Sequence, residues 1–289
     1  MKHFIAIATI AFMSLTAAHA ASLQEMRFHC ENDTLKINAL LQKGIESGLT
    51  GGNALVSFYA HELLGTPYVA HTLEGDKEML TINIDELDCT TFVETLYALA
   101  RTTMNGRYSW RDYAANLENL RYRGGQMGDY SSRLHYISEW IVDNRMRGNL
   151  QEITPSVPHA QYMVKTIDFM SKHASNYRSL KDDEAMLEKI RSFEHGYRLH
   201  RMPYLKNTWL GDKAVKTALR SGDFVGLVTK IEGLDISHLG IIEKDENGNI
   251  FLLDASMGGG CVMLEQKDMF HYLRGSKTNL GIRVFRILE

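Results

Sequence analysis

The stretch 221–256 reads SGDFVGLVTK IEGLDISHLG IIEKDENGNI FLLDAS, and its reading decides the fold. Its apolar residues fall in short, β-rich runs at 224–230, 238–244 and 250–256, separated by Gly and Asn/Asp clusters. Runs of that length and composition read as strands. Asn247-Gly248, between the second and third runs, is a strong hairpin signal because both residues tolerate positive φ. Further runs at 261–265 and 282–288 extend the pattern, so an antiparallel sheet is expected over about 223–289.

The chain upstream is helical in character. Residues 35–48 carry Leu35, Leu40, Leu41 and Ile45 on one stripe. Residues 54–64 end at Gly65 as a C-cap, with Pro67 just beyond. Residues 90–101 carry Phe92, Val93, Leu96 and Leu99. A mostly helical middle follows to about Leu219, with 162–172 and 183–198 as its clearest helices. Helices first and a sheet afterwards make the fold α+β. A single domain is expected over 21–289, with a helical insertion at about 102–220.

Composition narrows the function classes. Of 289 residues 44% are hydrophobic and 23% charged, which is ordinary for a globular protein. Lys+Arg number 32 against Asp+Glu 35, so no basic excess exists for a nucleic-acid backbone and no nucleic-acid partner is expected. Lys2 is the only charged residue among the first twenty, which run through an apolar stretch to Ala18-His19-Ala20. That pattern is a secretory signal peptide over 1–20, cleaved before Ala21. The apolar run is shorter than the ~20 residues a membrane span needs. An exported protein without stable membrane insertion is therefore expected, in an oxidising compartment. Three cysteines are too few for a disulfide framework. Cys30 with Cys261 is one pairing open to it.

The chemistry-bearing residues are few. No H-E-x-x-H, C-x-x-C, phosphate loop or G-x-S-x-G occurs, so no metal site or cofactor is expected. Cys89 sits in Leu87-Asp88-Cys89-Thr90-Thr91-Phe92, at the start of an amphipathic helix. There the macrodipole and free backbone N–H groups stabilise a thiolate, and the same groups can hold an oxyanion. The plainer alternative is a buried, inert cysteine.

A nucleophilic cysteine needs a base, and the base an orienting group. His238 opens one strand and Asp254 lies in the next. A three-residue loop 246–248 pairs positions summing to 494, which sets His238 opposite Ser256 and Asp254 opposite Gly240. A register summing to 492 sets Asp254 opposite His238. A two-residue turn, summing to 495, sends them to opposite faces. Two of the three registers thus put His238 and Asp254 on one face, while each residue could also be a structural strand or turn residue.

Taken together, Gly65-Thr66-Pro67-Tyr68, Asp88-Cys89-Thr90, Gly222-Asp223-Phe224, His238-Leu239-Gly240-Ile241 and Asp254-Ala255-Ser256 occur in an order that resembles the NlpC-type, papain-like peptidoglycan hydrolases. The segments Arg121-Tyr122-Arg123-Gly124-Gly125 and Ser132-Arg133-Leu134-His135-Tyr136, with Trp140, Asp143 and Asn144, resemble that superfamily's larger, N-acetylmuramoyl-L-alanine amidase-like branch. The resemblance implies a papain-like core, a nucleophile helix packed on an antiparallel sheet. It implies Cys89 as nucleophile, His238 as base, Asp254 at the third polar position and Tyr68 beside the nucleophile. Ala70 stands where many members have Trp, and Asp254 where His is common. An Asp still orients an imidazole and stabilises its cation; Ser256 is the other candidate for that place.

The implied reaction is hydrolysis of the amide between the muramoyl, especially anhydro-muramoyl, lactyl group and L-Ala in muropeptides of wall turnover. Periplasmic action follows, with a muropeptide or peptidoglycan partner. Stem carboxylates suit Arg forks, which makes Arg133 and Arg123 substrate-contact candidates. Two other readings share these residues: an endopeptidase cutting D-Glu from the diamino acid, and a non-catalytic wall-binding module.

Overall fold

The computed structural model describes residues 21–289, so the expected signal segment lies outside the described residues. Its helices are α1 (Asp33–Glu46), α2 (Gly52–Glu62), α3 (Cys89–Met104), α4 (Trp110–Arg121), α5 (Ile137–Met146), α6 (Phe169–Lys172), α7 (Arg178–Lys181), α8 (Glu184–His195), α9 (Lys213–Ala218) and α10 (Met269–Leu273). Its strands are β1 (Met26–Phe28), β2 (Leu80–Ile82), β3 (Leu150–Glu152), β4 (Gln161–Lys165), β5 (His200–Lys206), β6 (Phe224–Thr229), β7 (Ile236–Lys244), β8 (Ile250–Ser256), β9 (Cys261–Asp268) and β10 (Asn279–Ile287). β1 and β2 form a small parallel pair. The other eight form one antiparallel sheet in the order β4-β5-β10-β6-β7-β8-β9, with β3 also on β10. The expected α+β class holds.

Period-two alternation covers both faces of this sheet. In β6, Phe224 and Val228 join the core under the helices, while Val225 and Leu227 join a second core with Leu210, Val215 and Met269. All six residues of β6 are buried, as a central strand requires. α3 packs against β7 and β8 and is itself wrapped by α1, α2 and α4. Phe92, Val93, Leu96 and Leu99 are wholly buried, each contributing about 1.5–3 kcal/mol. The helix that carries Cys89 is therefore an anchored platform.

The Gly222-Asp223 pair has a structural reason. Gly222 has φ +80°, and a Cβ there would overlap the Asn53 carbonyl at the start of α2. Asp223 is fully buried and accepts from Arg286 Nε (2.6 Å) and Nη2 (2.8 Å), and from Asn53 Nδ2 (2.8 Å). It ties α2 to β6 and β10.

The middle of the chain departs from the expectation. Residues 162–172 are not a helix: 161–165 form β4, which pairs with β5, and only the single turn α6 follows. The stretch 102–220 also supplies β3 and β5, which lengthen the sheet. The helix expected at 183–198 is present as α8. Cys30 and Cys261 are not paired: both are free thiols, Cys30 beside Asp33 at 3.2 Å and Cys261 at the start of β9 opposite Pro67. No helix among the described residues is long and apolar enough to cross a membrane.

Candidate active site

Asp88 is the N-cap of α3. Its Oδ1 accepts from the amides of Thr90 (3.0 Å) and Thr91 (2.8 Å), and Thr91 Oγ1 accepts in return from the Asp88 amide (2.8 Å). This reciprocal cap fixes the first turn. The Phe92 amide is taken by the Asp88 carbonyl at 2.9 Å. Cys89 thus occupies the first helical position, and of the opening amides its own is the one that Asp88 leaves unused. The Cys89 side chain is half-buried, with Thr90 Oγ1 at 4.0 Å from its sulfur.

His238 and Asp254 meet as a hydrogen-bonded pair, Nε2 to Oδ2. The register explains why. Ile241 pairs with Leu253 and Ile242 with Leu252, so positions sum to 494. The turn closes through Gly248, at φ +77°, and by the Asp245 amide donating to the Asn249 carbonyl (3.1 Å). Gly240 is the residue abreast of Asp254: a Cβ there would lie 3.0 Å from the Asp254 Cβ and 2.8 Å from the Leu253 carbonyl. A register shift between Ile236 and His238 opposite β6 leaves Ser237 as an extra residue just before the histidine. Bulges of this kind re-aim side chains next to functional sites. Asp254 is 1% exposed and His238 19%. Burial opposes charge on the imidazole, but Asp254 and Cys89 outweigh it and push His238 up to about 10. With Nε2 engaged by Asp254, Nδ1 is the nitrogen left for the sulfur.

Tyr68 reaches this site through backbone pairing. Gly65, at φ +84°, turns the chain after α2 and donates to the Val262 carbonyl at 2.8 Å. The Tyr68 amide donates to the Gly260 carbonyl (2.9 Å), while the Leu87 amide donates to the Pro67 carbonyl (3.0 Å). The segment is stitched between β9 and the residue preceding Asp88. Burial, then the negative charge of Cys89 and Asp88, raises the Tyr68 phenol above its ordinary value, so it stays a neutral O–H donor.

The two arginines and Ser256 each have partners within the protein. Arg133 is buried, with Nε and Nη2 on Glu78 (3.0 and 2.6 Å) and Nη1 on Glu74 (2.8 Å). Burial works against its charge, and the two carboxylates more than offset it. Arg123 is bound to Glu139 and stacks 3.5 Å over the Phe193 ring. Ser256 Oγ accepts from the Gly259 amide at 3.2 Å and faces Glu265 at 3.4 Å, so it shapes the turn into β9. It is Asp254 that meets the imidazole.

A cavity of about 170 Å³ opens at the start of α3, lined among others by Asp88, Thr90, Glu74, Arg133, His71 and His135. His135 is a residue the sequence reading quoted without assigning it a task. Its Nε2 lies 2.8 Å from the Tyr130 carbonyl and must donate to it, which leaves Nδ1 as an acceptor. Burial, then the Arg133 charge, holds this imidazole down to about 3, so it is neutral. Its proximity to Arg133 in sequence was the available signal; Glu74 and Glu78 carried none. Among the described residues, Cys30, Asp33 and Asp85 have metal-ligand spacing. Lys36 Nζ lies 2.5 Å from Asp85 Oδ2 and supplies a cation there.

Residues 59–282 match the family model AmiA-like, described as N-acetylmuramoyl-L-alanine amidase-like. No curated protein matches the chain significantly. Among solved structures, an N-acetylmuramoyl-L-alanine amidase from Bacteroides uniformis is similar at 32% identity and TM-score 0.77, covering 82% of this chain and 99% of its own. A Bacteroides fragilis structure, described as a candidate xylanase, is similar at 36% identity and TM-score 0.73, covering 79% and 98%. A Legionella pneumophila protein at 24% identity and TM-score 0.70, covering 90% and 95%, shares the fold. The family model and the Bacteroides uniformis likeness define a class, the peptidoglycan amidases. The chain belongs to the N-acetylmuramoyl-L-alanine amidase-like family.

Proposed function

We propose that this chain is an exported, cysteine-dependent N-acetylmuramoyl-L-alanine amidase of NlpC type, acting in the periplasm on muropeptides, with anhydro-muramoyl fragments as its preferred substrates. The observation that carries the reading is the gathering of Cys89, His238 and Asp254 at the start of a buried helix. The thiol proton passes to His238 Nδ1 and the sulfur attacks the lactyl carbonyl. The Cys89 amide and the Tyr68 hydroxyl donate to the oxyanion. His238 returns the proton to the departing amine of L-Ala, leaving a lactyl thioester. Water then attacks that thioester, giving a proton to His238, and the thiolate leaves. Asp254 holds the ring and stabilises its cation throughout.

The family and the Bacteroides uniformis amidase support the amide as target. The site also weighs against glycoside cleavage, which needs two carboxyl groups flanking the sugar. Asp88 is committed to the helix cap and Asp254 to the imidazole, while Glu74 and Glu94, the other carboxylates of the small cavity, are paired with Arg133 and Arg121. Mass spectrometry of muropeptides incubated with residues 21–289 tests the proposal, beside a Cys89→Ala control. Release of a peptide beginning at L-Ala plus free muramoyl sugar, lost in the control, is expected. Cleavage after D-Glu would instead establish the endopeptidase with the same three residues.

A further inference from the structure

The reaction above has two product halves of different chemistry. The sugar half is uncharged apart from the lactyl carboxylate created by cleavage. The peptide half carries the α-carboxylate of D-Glu and, beyond it, an amino acid with both a free ammonium and carboxylates. Sequence reasoning gave Arg133 and Arg123 the task of meeting those carboxylates. In the structure each guanidinium already faces carboxylate partners within the protein.

The small cavity at the start of α3, lined by the Asp88 and Thr90 that flank Cys89, does not end at Arg133. Glu74 and Arg133 also line a second cavity of about 480 Å³, so their ion pair forms a sill between the two. The first cavity is smaller than the ~300–1,000 Å³ of typical ligand sites, and the second lies within that range. Nine of the fourteen residues lining the second are charged, which suits a charged ligand and not a neutral sugar. Three of these, Lys77, Asp182 and Asp183, have no ion-pair partner among the described residues, and Asp183 is occupied as the cap of α8, accepting from the Met186 amide. Arg178 pairs only with the exposed Asp76 at the rim. Two cations and one uncommitted carboxylate thus stand beyond the sill. The first two stem residues span roughly 7 Å at 3.3–3.6 Å each, more with a γ-linked D-Glu.

We infer that the cavity beyond the Glu74–Arg133 pair is the subsite for the diamino acid of the stem, with Lys77 and Arg178 meeting its carboxylates and Asp182 its free ammonium. This rests on the amidase reading. It makes the enzyme selective for stems of three residues or more, through residues remote from the reacting bond.

The test compares two substrates, muramoyl-L-Ala-D-Glu and the same compound extended by the diamino acid. Wild type is expected to favour the longer one in kcat/KM. Lys77→Ala, Arg178→Ala and Asp182→Asn are each expected to reduce that preference by about three- to fivefold, through KM, the effect of an exposed ion pair of up to about 1 kcal/mol. A preference unchanged in all three variants overturns the subsite. Failure to cleave either substrate overturns the amidase reading alone. In that case calorimetry with the free tripeptide decides: binding weakened by the three variants supports the subsite, and no binding refutes it.

Discussion

A Cβ placed on Gly240 would lie 3.0 Å from the Cβ of Asp254, closer than nine in ten real contacts of that kind. The glycine therefore sets how near the carboxylate strand can come to the histidine strand. Gly240→Ala must push β8 outward or tilt Asp254 away from His238. Overpacking of this sort costs about 1–3 kcal/mol. Activity on muropeptides is expected to fall by tenfold or more, because a 1 Å misplacement near the chemistry costs up to ~100-fold. A urea melt beside a kinetic assay separates the two losses.

Asp254 and Cys89 together lift His238 to about 10 against the opposing effect of burial. The sign follows directly. The folded value lies above the unfolded value of about 6.5, so this contribution to stability is fully present below 6.5 and is lost as pH rises through about 10. Asp254→Asn removes the carboxylate and leaves burial to act, so the imidazole should lose its proton at a lower pH. NMR titration of the His238 ring in both proteins reads this. The stability gap between them should shrink from pH 6 to pH 10; a constant gap would contradict it.

Asp88→Ala removes a cap that satisfies two amides, at a cost of about 1 kcal/mol. Because Cys89 is the next residue, the frayed turn would displace both the sulfur and its own amide. The loss in kcat should exceed the loss in stability. Asp88→Asn keeps an acceptor and should restore most of both, as a melt and a rate measurement on the three proteins would show.

Glu78→Ala leaves the buried Arg133 with Glu74 as its one charged partner among the described residues. Breaking one side of a buried ion pair is costly, about 3–5 kcal/mol. Glu78→Gln keeps an acceptor and should cost less. Chemical denaturation distinguishes this structural role from a direct contact with substrate, for which only KM would move.

The β7–β8 hairpin was legible because Asn247-Gly248 punctuates two clean apolar runs, and one of the three registers weighed is the one observed. The choice among them needed the Asp245–Asn249 closure, which no residue count reveals. Cys89 was legible through helix periodicity, since the stripe of Phe92, Val93, Leu96 and Leu99 fixed where the helix begins. β4 was not. Tyr162 and Val164 lie exposed on an edge strand, so its alternation is inverted, and its partner β5 contains Pro203. Arg133 was singled out, but its neutralisation by Glu74 and Glu78 joins residues more than fifty positions away. Long-range charge pairing of that kind leaves no local pattern.

β10 is the last strand in chain order, yet it lies inside the sheet, between β5 and β6 and also against β3. Synthesis delivers it last. Until then β6 lacks one of its two neighbours, and β3 and the β4–β5 pair have no larger sheet to join. A growing chain therefore cannot complete its tertiary structure while it is being made. The N-terminal helices and the β7–β8 hairpin can form early, but the two halves of the sheet stay unjoined until the last strand is threaded between them.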